Sequence, residues 1–409
     1  MPPDGELVAL LPTAPTAVVA TNLDALVLLL LGGLFALGMP RITVRGRRRF
    51  WHAWANSGLL PLLLGLAVGP TQLGWISDEA SSALRPLLGL VLAAAGVLVG
   101  TQLRFAYLRG AGWGFLGRHS GSALVQFILV FVPLALAAST ALPWAMALGA
   151  AGLVSACAVA STQRPPLSTE DRLPPREVVM GHVVPCGWWN VLALVGGSLA
   201  LSIGFQNHEL LTEQLASPPA LLFGTPVVLG LVCGWLTLRA PNRDDLYLFL
   251  MAVLALSGGL ALAVNAVPLF FGILVGVVLV NVAARRSTHL EGVLEELEQP
   301  LAMGTGLLAG LCLTHLVVDP WVWLLMPVLI LGRWGVRGRL GPTSSAIGHL
   351  RERRFSPPGS ACILLIGAAV LAPDPAPVLV VPLIAALTIA TLISDVVERR
   401  AAPASEVVK

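Results

Sequence analysis

Long apolar runs separated by short polar breaks extend along almost the whole sequence. A helix that crosses a membrane needs about 20 mostly apolar residues, and thirteen segments have this character. Their predicted limits are 17–38, 55–76, 86–107, 114–138, 142–162, 178–204, 218–238, 246–265, 267–284, 300–318, 320–338, 359–372 and 376–397. The pattern predicts an all-α polytopic membrane protein with about 13 transmembrane helices.

Two of these segments are irregular. Segment 178–204 is interrupted at Pro185 and Gly187, and segment 359–372 is short and bounded by Pro and Gly. Transporters place substrate sites at such breaks, because the freed backbone groups must line a cavity.

The number of segments suggests an internal symmetry. Thirteen segments divide into six, one and six, which suits two inverted six-helix repeats around the seventh segment. We predict a single membrane domain over 1–409, with a first repeat at 17–204, a linker helix at 218–238 and a second repeat at 246–397. Residues 398–409 are predicted to form a short cytoplasmic tail.

The charges have a sided distribution. Acidic residues predominate in the loops on one side of the predicted membrane, whereas Arg85 is the clear basic residue there. Arginines follow every odd-numbered segment, in the loop RITVRGRRR and at Arg104, Arg109, Arg118, Arg164, Arg172, Arg176, Arg239, Arg243, Arg285, Arg286, Arg337, Arg339, Arg351, Arg353, Arg354, Arg399 and Arg400. Because cytoplasmic loops are enriched in Lys and Arg, we predict an external N-terminus and a cytoplasmic C-terminus. The expected location is a bacterial plasma (inner) membrane.

The amino-acid composition of the chain limits the classes of function that it can have. The chain is 56% hydrophobic and 11% charged, with a net charge of +3, so its expected environment is the lipid bilayer and no nucleic acid partner is indicated. Its five cysteines all lie in apolar segments without a Cys-x-x-Cys pair, so buried free thiols are expected.

No Gly-rich phosphate loop or hydrolase triad is apparent, and we expect no enzymatic activity, no cofactor and no bound metal. The stretch THLEGVLEELEQ, residues 288–299, is predicted to be an amphipathic cytoplasmic connector.

Several stretches resemble the monovalent cation/proton antiporter superfamily. They are LGLAVGPTQLGWIS (64–77), LGLVLAAAGVLVGTQLRFAYLR (88–109), VPLFFGILVGVVLVN (267–281), LEELEQPLAMGTGLLAGLCLT and RFSPPGSACILLIGAAVLA (354–372). The resemblance covers nearly the whole chain in order and spacing. It implies a homodimer that handles small monovalent ions or protons, with a core domain of crossed, broken helices moving against a dimerisation domain.

The resemblance also implies acidic residues that this chain lacks. Where the family has Asp-Asp or Asn-Asp, the sequence reads Trp189-Asn190; where it has Thr-Asp-Pro, Cys157 begins the triplet Cys-Ala-Val. The third helix ends GTQLR, which places Gln102 at a usual Glu, and its counterpart near 310 ends GLCLT. Four acidic positions are thus replaced. An amide such as that of Asn190 does not titrate, so ordinary sodium/proton exchange is not expected from this set.

Other ionisable groups lie within the predicted spans. Asp24 and Asp395 are the acids there, and Asp24 is a possible proton site as well as a possible structural residue. Arg333 stands about 13 residues into segment 11, near mid-membrane depth. Three interpretations of Arg333 are open: a structural relic that stabilises a helix crossing, a cavity residue that handles an anion, and a side chain that reaches toward the cytoplasm. His182 lies four residues before Cys186 and could titrate near neutral pH or be a hydrogen-bonded structural histidine.

Three functions remain open. The first is a secondary transporter of the cation/proton antiporter type with altered substrate or coupling. The second is a non-transporting membrane subunit or sensor on the same scaffold, and the third is an anion or organic-acid transporter that uses Arg333. The predicted transport path consists of Asn190, Trp189, Arg333, Cys157, Gln102 and His182, with Asp24 as a possible proton site.

Overall fold

The computed structural model describes residues 58–70, 72–73, 75–105, 113–140, 144–159, 192–201, 219–239, 243–264, 266–283, 287–313, 327, 330, 360–372 and 380–401. Regular structure within these ranges is helical throughout, without a strand. The helices are α1 (Leu59–Val68), α2 (Asp78–Gly100), α3 (Trp113–Ala138), α4 (Trp144–Val159), α5 (Leu192–Leu201), α6 (Pro219–Arg239), α7 (Arg243–Ala263), α8 (Pro268–Val282), α9 (Ser287–Leu311), α10 (Ser360–Leu371) and α11 (Val380–Ala401).

Most of the apolar segments in the described ranges correspond to helices within a few residues, as α3, α4, α6, α7, α8, α10 and α11 illustrate. Some predicted segments lie outside the described residues. They are 17–38, the first part of 178–204, and 320–338 apart from residues 327 and 330.

The limits of α2 differ from those predicted. The helix begins at Asp78, eight residues before the predicted start at 86, and ends at Gly100 rather than at 107. Ser77 caps it by accepting a hydrogen bond from the Ala80 backbone N–H at 3.2 Å, and the acidic first turn complements the helix dipole. A hydropathy criterion excludes this charged, capped turn even though the backbone there is helical.

Helix α1 is shorter than the predicted 55–76. It begins after Gly58, whose φ of 73° lies in the left-handed region that glycine tolerates without strain. It ends at Val68, before Gly69 and Pro70, a pair that cannot readily continue a helix. The ten helical residues span about 15 Å, which is half the thickness of a bilayer core.

Helix α9 joins two predicted elements. The amphipathic stretch 288–299, predicted as a connector, and the beginning of the span predicted at 300–318 form one continuous helix, Ser287–Leu311, with Pro300 inside it. A proline removes one backbone hydrogen bond and favours a bend, yet neighbouring packing can hold the helix together. The described helix ends at Leu311, where the Cys312 N–H still donates to the Leu308 carbonyl at 2.9 Å.

Two pairs of helices cross at glycines. On α2 and α8, Gly96 and Gly100 face Gly272 and Gly276, so closely that a methyl group at Gly272 would collide with the Ala93 carbonyl. The α1–α9 crossing is similarly close: Gly65 faces Gly310, and a methyl group at Gly306 would collide with the Gly58 carbonyl oxygen. Small residues spaced four apart in the sequence, such as Gly272 and Gly276, allow helix backbones to approach closely.

The buried side chains form two groups that α2 joins. Besides α2, the first group contains residues of α1, α3, α4, α5, α8, α9, α10 and α11, and the second contains residues of α6, α7 and α8. Outer faces of α3, α6 and α7 expose large apolar side chains such as Leu129, Val228 and Leu248. Such faces suit contact with lipid tails.

Two described stretches are both long and apolar enough to cross a membrane, α2 and the Asp245–Ala263 part of α7. Other apolar helices within the described ranges are shorter, among them α8 with 15 residues and α10 with 12. Several of these short helices therefore have to meet others end to end or cross them if the core is to extend through a bilayer.

The glycine crossing leads to a stability prediction. In Gly272→Ala, the added methyl meets the Ala93 backbone, which cannot rotate away, so we expect a loss of about 1–3 kcal/mol from overpacking. The measurement is the thermal unfolding midpoint of the detergent-solubilised protein. The matched control is Gly259→Ala, because a methyl at Gly259 meets no atom within 4 Å. Equal midpoints for the two variants would contradict the crossing.

Candidate functional site at the crossing of two helix ends

Two helix ends that are far apart in sequence meet in the core. Helix α4 ends at Val159, and α10 begins at Ser360. The Cys362 thiol, in the first turn of α10, lies 3.4 Å from the backbone carbonyl oxygen of Cys157, near the end of α4. Both cysteines are 0% exposed. The crossing therefore joins a helix end rich in carbonyl oxygens to a helix start rich in N–H groups.

Helix α5 closes one side of this crossing. A methyl group at Gly197 of α5 would lie 2.9 Å from the Ala156 side chain on α4 and 2.6 Å from Leu365 on α10. A glycine is thus required for three helices to meet here. The segment that includes α5 is the interrupted one that the sequence analysis singled out.

The other side of α10 packs against the glycine-crossed helices. A methyl at Gly367 would lie 3.0 Å from the Thr305 methyl on α9 and 3.2 Å from Leu92 on α2. Helix α10 therefore lies between α4 and α5 on one side and α2 and α9 on the other. Any rearrangement of the crossing must involve both groups, since the packing leaves no gap.

The polar groups buried around the crossing are weakly acidic or neutral. Hydroxyls on neighbouring helices donate back to their own helix, as Ser155 does to Ala151 at 2.6 Å and Thr305 to Leu301 at 2.7 Å. The buried polar side chains of the described residues include hydroxyls and Arg104, but no carboxylate. In the same part of the chain, no group of three or more His, Cys, Asp and Glu residues could hold a metal ion.

A second polar contact fixes the end of α2. The Asn281 side chain on α8 accepts a hydrogen bond from the Phe105 N–H at 2.9 Å and donates to the Leu103 carbonyl at 2.9 Å. It also donates to the Val277 carbonyl on its own helix at 2.7 Å. One amide thereby pairs with backbone groups that the end of α2 leaves outside the helical ladder.

The residues at this end of α2 were expected to lie in or near a transport path. Gln102 is half-buried in the turn after α2, where its N–H donates to the Val99 carbonyl at 3.1 Å. Arg104, one of the arginines used to assign the cytoplasmic side, is 8% exposed. Its side chain is therefore packed within the protein rather than extended into solvent.

The predicted path residues are only partly described. Cys157 lies at the α4–α10 crossing, whereas Gln102 lies at the contact that Asn281 makes between α2 and α8. The other members of the predicted set lie outside the described residues: Asn190, Trp189, Arg333, His182 and Asp24.

Two residues of these contacts did not stand out in the sequence. Cys362 was recognised only as one of five buried thiols, and Asn281 only as the end of an apolar helix. The proposed repeats offered a signal for Cys362, because Cys157 and Cys362 lie on the fifth segments of the two repeats. For Asn281 the signal was a single amide after a run of apolar residues, whose partner could not be identified from sequence.

Comparison with known proteins relates the fold to a transporter. No protein-family model matches the sequence, and no curated protein does. Among solved structures, the chain is similar to the sodium proton antiporter MjNhaP1 from Methanocaldococcus jannaschii at pH 8, with a TM-score of 0.55 and 15% identity. The match covers 93% of this chain and 98% of that one. The chain therefore has an antiporter-like, all-helical fold.

The Asn281 contact leads to a second prediction. Asn281→Ala removes three hydrogen bonds and leaves the Phe105 N–H and the Leu103 carbonyl without this partner, at a cost of roughly 1–3 kcal/mol. We expect a lower thermal midpoint and faster amide hydrogen exchange at residues 101–105.

The matched control is Ser82→Ala, which removes an exposed hydroxyl that bonds only to the nearby Glu79 carbonyl. If Asn281→Ala exchanges at 101–105 no faster than the control does, the side chain does not fix the end of α2.

Proposed function

We propose that this protein is a secondary transporter of the cation/proton antiporter type whose ion site differs from that of an ordinary sodium/proton exchanger. The observation that carries the proposal is the crossing of α4 and α10 within an antiporter-like fold. Helix ends that cross inside a membrane present unpaired backbone groups to a substrate, and this is the usual architecture of transporter sites.

The two glycine crossings support the proposed inverted repeats. Helices α1 and α2 are the second and third helices of the first proposed repeat, and α8 and α9 hold the same places in the second. The α1–α9 crossing therefore pairs a second helix with a third, and so does the α8–α2 crossing. A two-fold axis in the membrane plane exchanges these crossings and brings the two fifth helices, α4 and α10, together.

The proposed alteration of the site rests on what the crossing contains. Exchange requires a group that binds either a proton or a cation, and in the related family a buried carboxylate does this. Thiols and carbonyls occupy the described crossing instead. Asn190, two positions before α5, contributes a neutral amide to the proposed path.

The proposed setting is the bacterial inner membrane, with an external N-terminus and a cytoplasmic C-terminus. The arginine distribution supports this orientation. The proposed assembly is a homodimer in which a core domain moves against a dimerisation domain.

The direct test is ion flux in proteoliposomes that contain a pH-sensitive dye. We expect a gradient of at least one monovalent cation, from a panel of Li⁺, Na⁺, K⁺ and Ag⁺, to drive proton movement, and Asn190→Ala to reduce the rate at least about tenfold. Ser82→Ala, which removes an exposed hydroxyl from the first turns of α2, should retain the full rate. No response to any of these cations would reject exchange and favour a non-transporting subunit.

A further inference from the structure

We infer that Cys157 and Cys362 form a binding site for a soft monovalent cation of the Cu⁺ or Ag⁺ type. The inference rests on the proposed function and specifies the class of cation that the transporter carries. By the resemblance, Cys157 stands at the Thr of the family's Thr-Asp-Pro triplet, one residue before the replaced acidic position.

The geometry brings the two thiol-bearing residues to one point in the core. The Cys362 sulfur is 3.4 Å from the Cys157 carbonyl oxygen, although the residues are 205 positions apart. Both are fully buried, and Gly197 of α5 packs against their neighbours Ala156 and Leu365. This conformation is therefore closed, and ions enter when the crossing opens during alternating access.

The chemistry of the ligands selects the cation. Thiolate sulfur is a soft ligand that prefers Cu⁺, whereas Na⁺ and K⁺ prefer hard oxygen ligands. Two sulfurs are enough for Cu⁺ and Ag⁺, which with thiolates often take linear two-coordinate geometry. A site of two cysteines is therefore complete for these ions even though it would be incomplete for Zn²⁺, which needs four ligands.

The start of α10 also interacts favourably with the charge of the bound complex. A monovalent cation bound by two thiolates carries a net charge of minus one. Cys362 is the third residue of α10, where the unpaired N–H groups and the helix dipole favour negative charge. The charge formed on binding is thus placed at the end of α10 that stabilises it.

Cation binding at the two thiols releases protons in a fixed ratio. Each thiol gives up its proton when its sulfur bonds to the metal, so two thiols and one cation yield one bis-thiolate complex and two free protons. No electron is transferred. Protons and cation compete for the same sulfurs, and this is the competition that exchange requires in place of a carboxylate.

The experiment measures Ag⁺ binding to the full-length protein in detergent, in chloride-free nitrate buffer, by calorimetry and by proton release into weak buffer. We expect one high-affinity ion and about two protons per chain.

Cys157→Ser and Cys362→Ser should each weaken Ag⁺ binding more than about 100-fold, since even outer-shell partners of metal ligands are worth about 10–100-fold in affinity. Cys233→Ser, a buried thiol on α6 in the other packing group, should bind like the parent protein.

A second variant keeps the test decisive if single substitutions at the crossing fail to fold. The triple variant Cys186→Ser, Cys233→Ser, Cys312→Ser retains only the proposed pair. X-ray absorption at the silver edge should show two sulfur neighbours in this variant. Absence of tight Ag⁺ binding, or oxygen and nitrogen neighbours alone, would overturn the site.

The outcome of the Ag⁺-binding experiment can be distinguished from the outcome of the flux assay. Proton exchange with alkali cations in a protein that does not bind Ag⁺ would reject the thiol site and keep the transporter. Tight Ag⁺ binding by the pair without flux of any cation would keep the site and reject the transporter.

Discussion

Close backbone contact between glycine-bearing helices is the constraint on which the other contacts depend. Where α2 crosses α8, and where α1 crosses α9, no side chain separates the backbones. Lipid offers no hydrophobic drive between helices, so packing of this kind has to hold them together. The two crossings place α2 and α9 as one wall of the core, and α10 packs against this wall through Gly367. The position of the α4–α10 crossing follows from that arrangement.

The close packing of α4 and α10 limits the side chains that their crossing can hold. The neighbouring residues Ala156, Gly197 and Leu365 pack closely, and the side chains of Cys157 and Cys362 are small. The hydroxyls of Ser155 and Thr305 already donate within their own helices, so any anion formed here, a carboxylate or a thiolate complex, depends on the N–H groups at the start of α10. The loss of acidic residues from the sequence and the apolar packing of the structure are therefore consistent with each other.

Sequence patterns predicted the helices better than the contacts. The limits of α3 were predictable because an uninterrupted apolar run has one explanation. The start of α2 was not, because Ser77 capping extends a helix through charged residues that hydropathy excludes. Glycine spacing predicted a close helix contact at Gly272 but not its partner. The Cys157–Cys362 contact joins residues 205 positions apart, and no local pattern encodes such a pairing. Gln102 and Cys157 were predicted together, yet they belong to different contacts.

Helix α9 has a mechanical consequence. Its 25 residues run without interruption from an amphipathic beginning to the glycine crossing with α1, a length of about 37 Å. Pro300 lies between these two parts and removes one backbone hydrogen bond, so the helix bends there most readily. A displacement of the amphipathic part would reach the Gly306–Gly310 contact through this one position rather than through a loop.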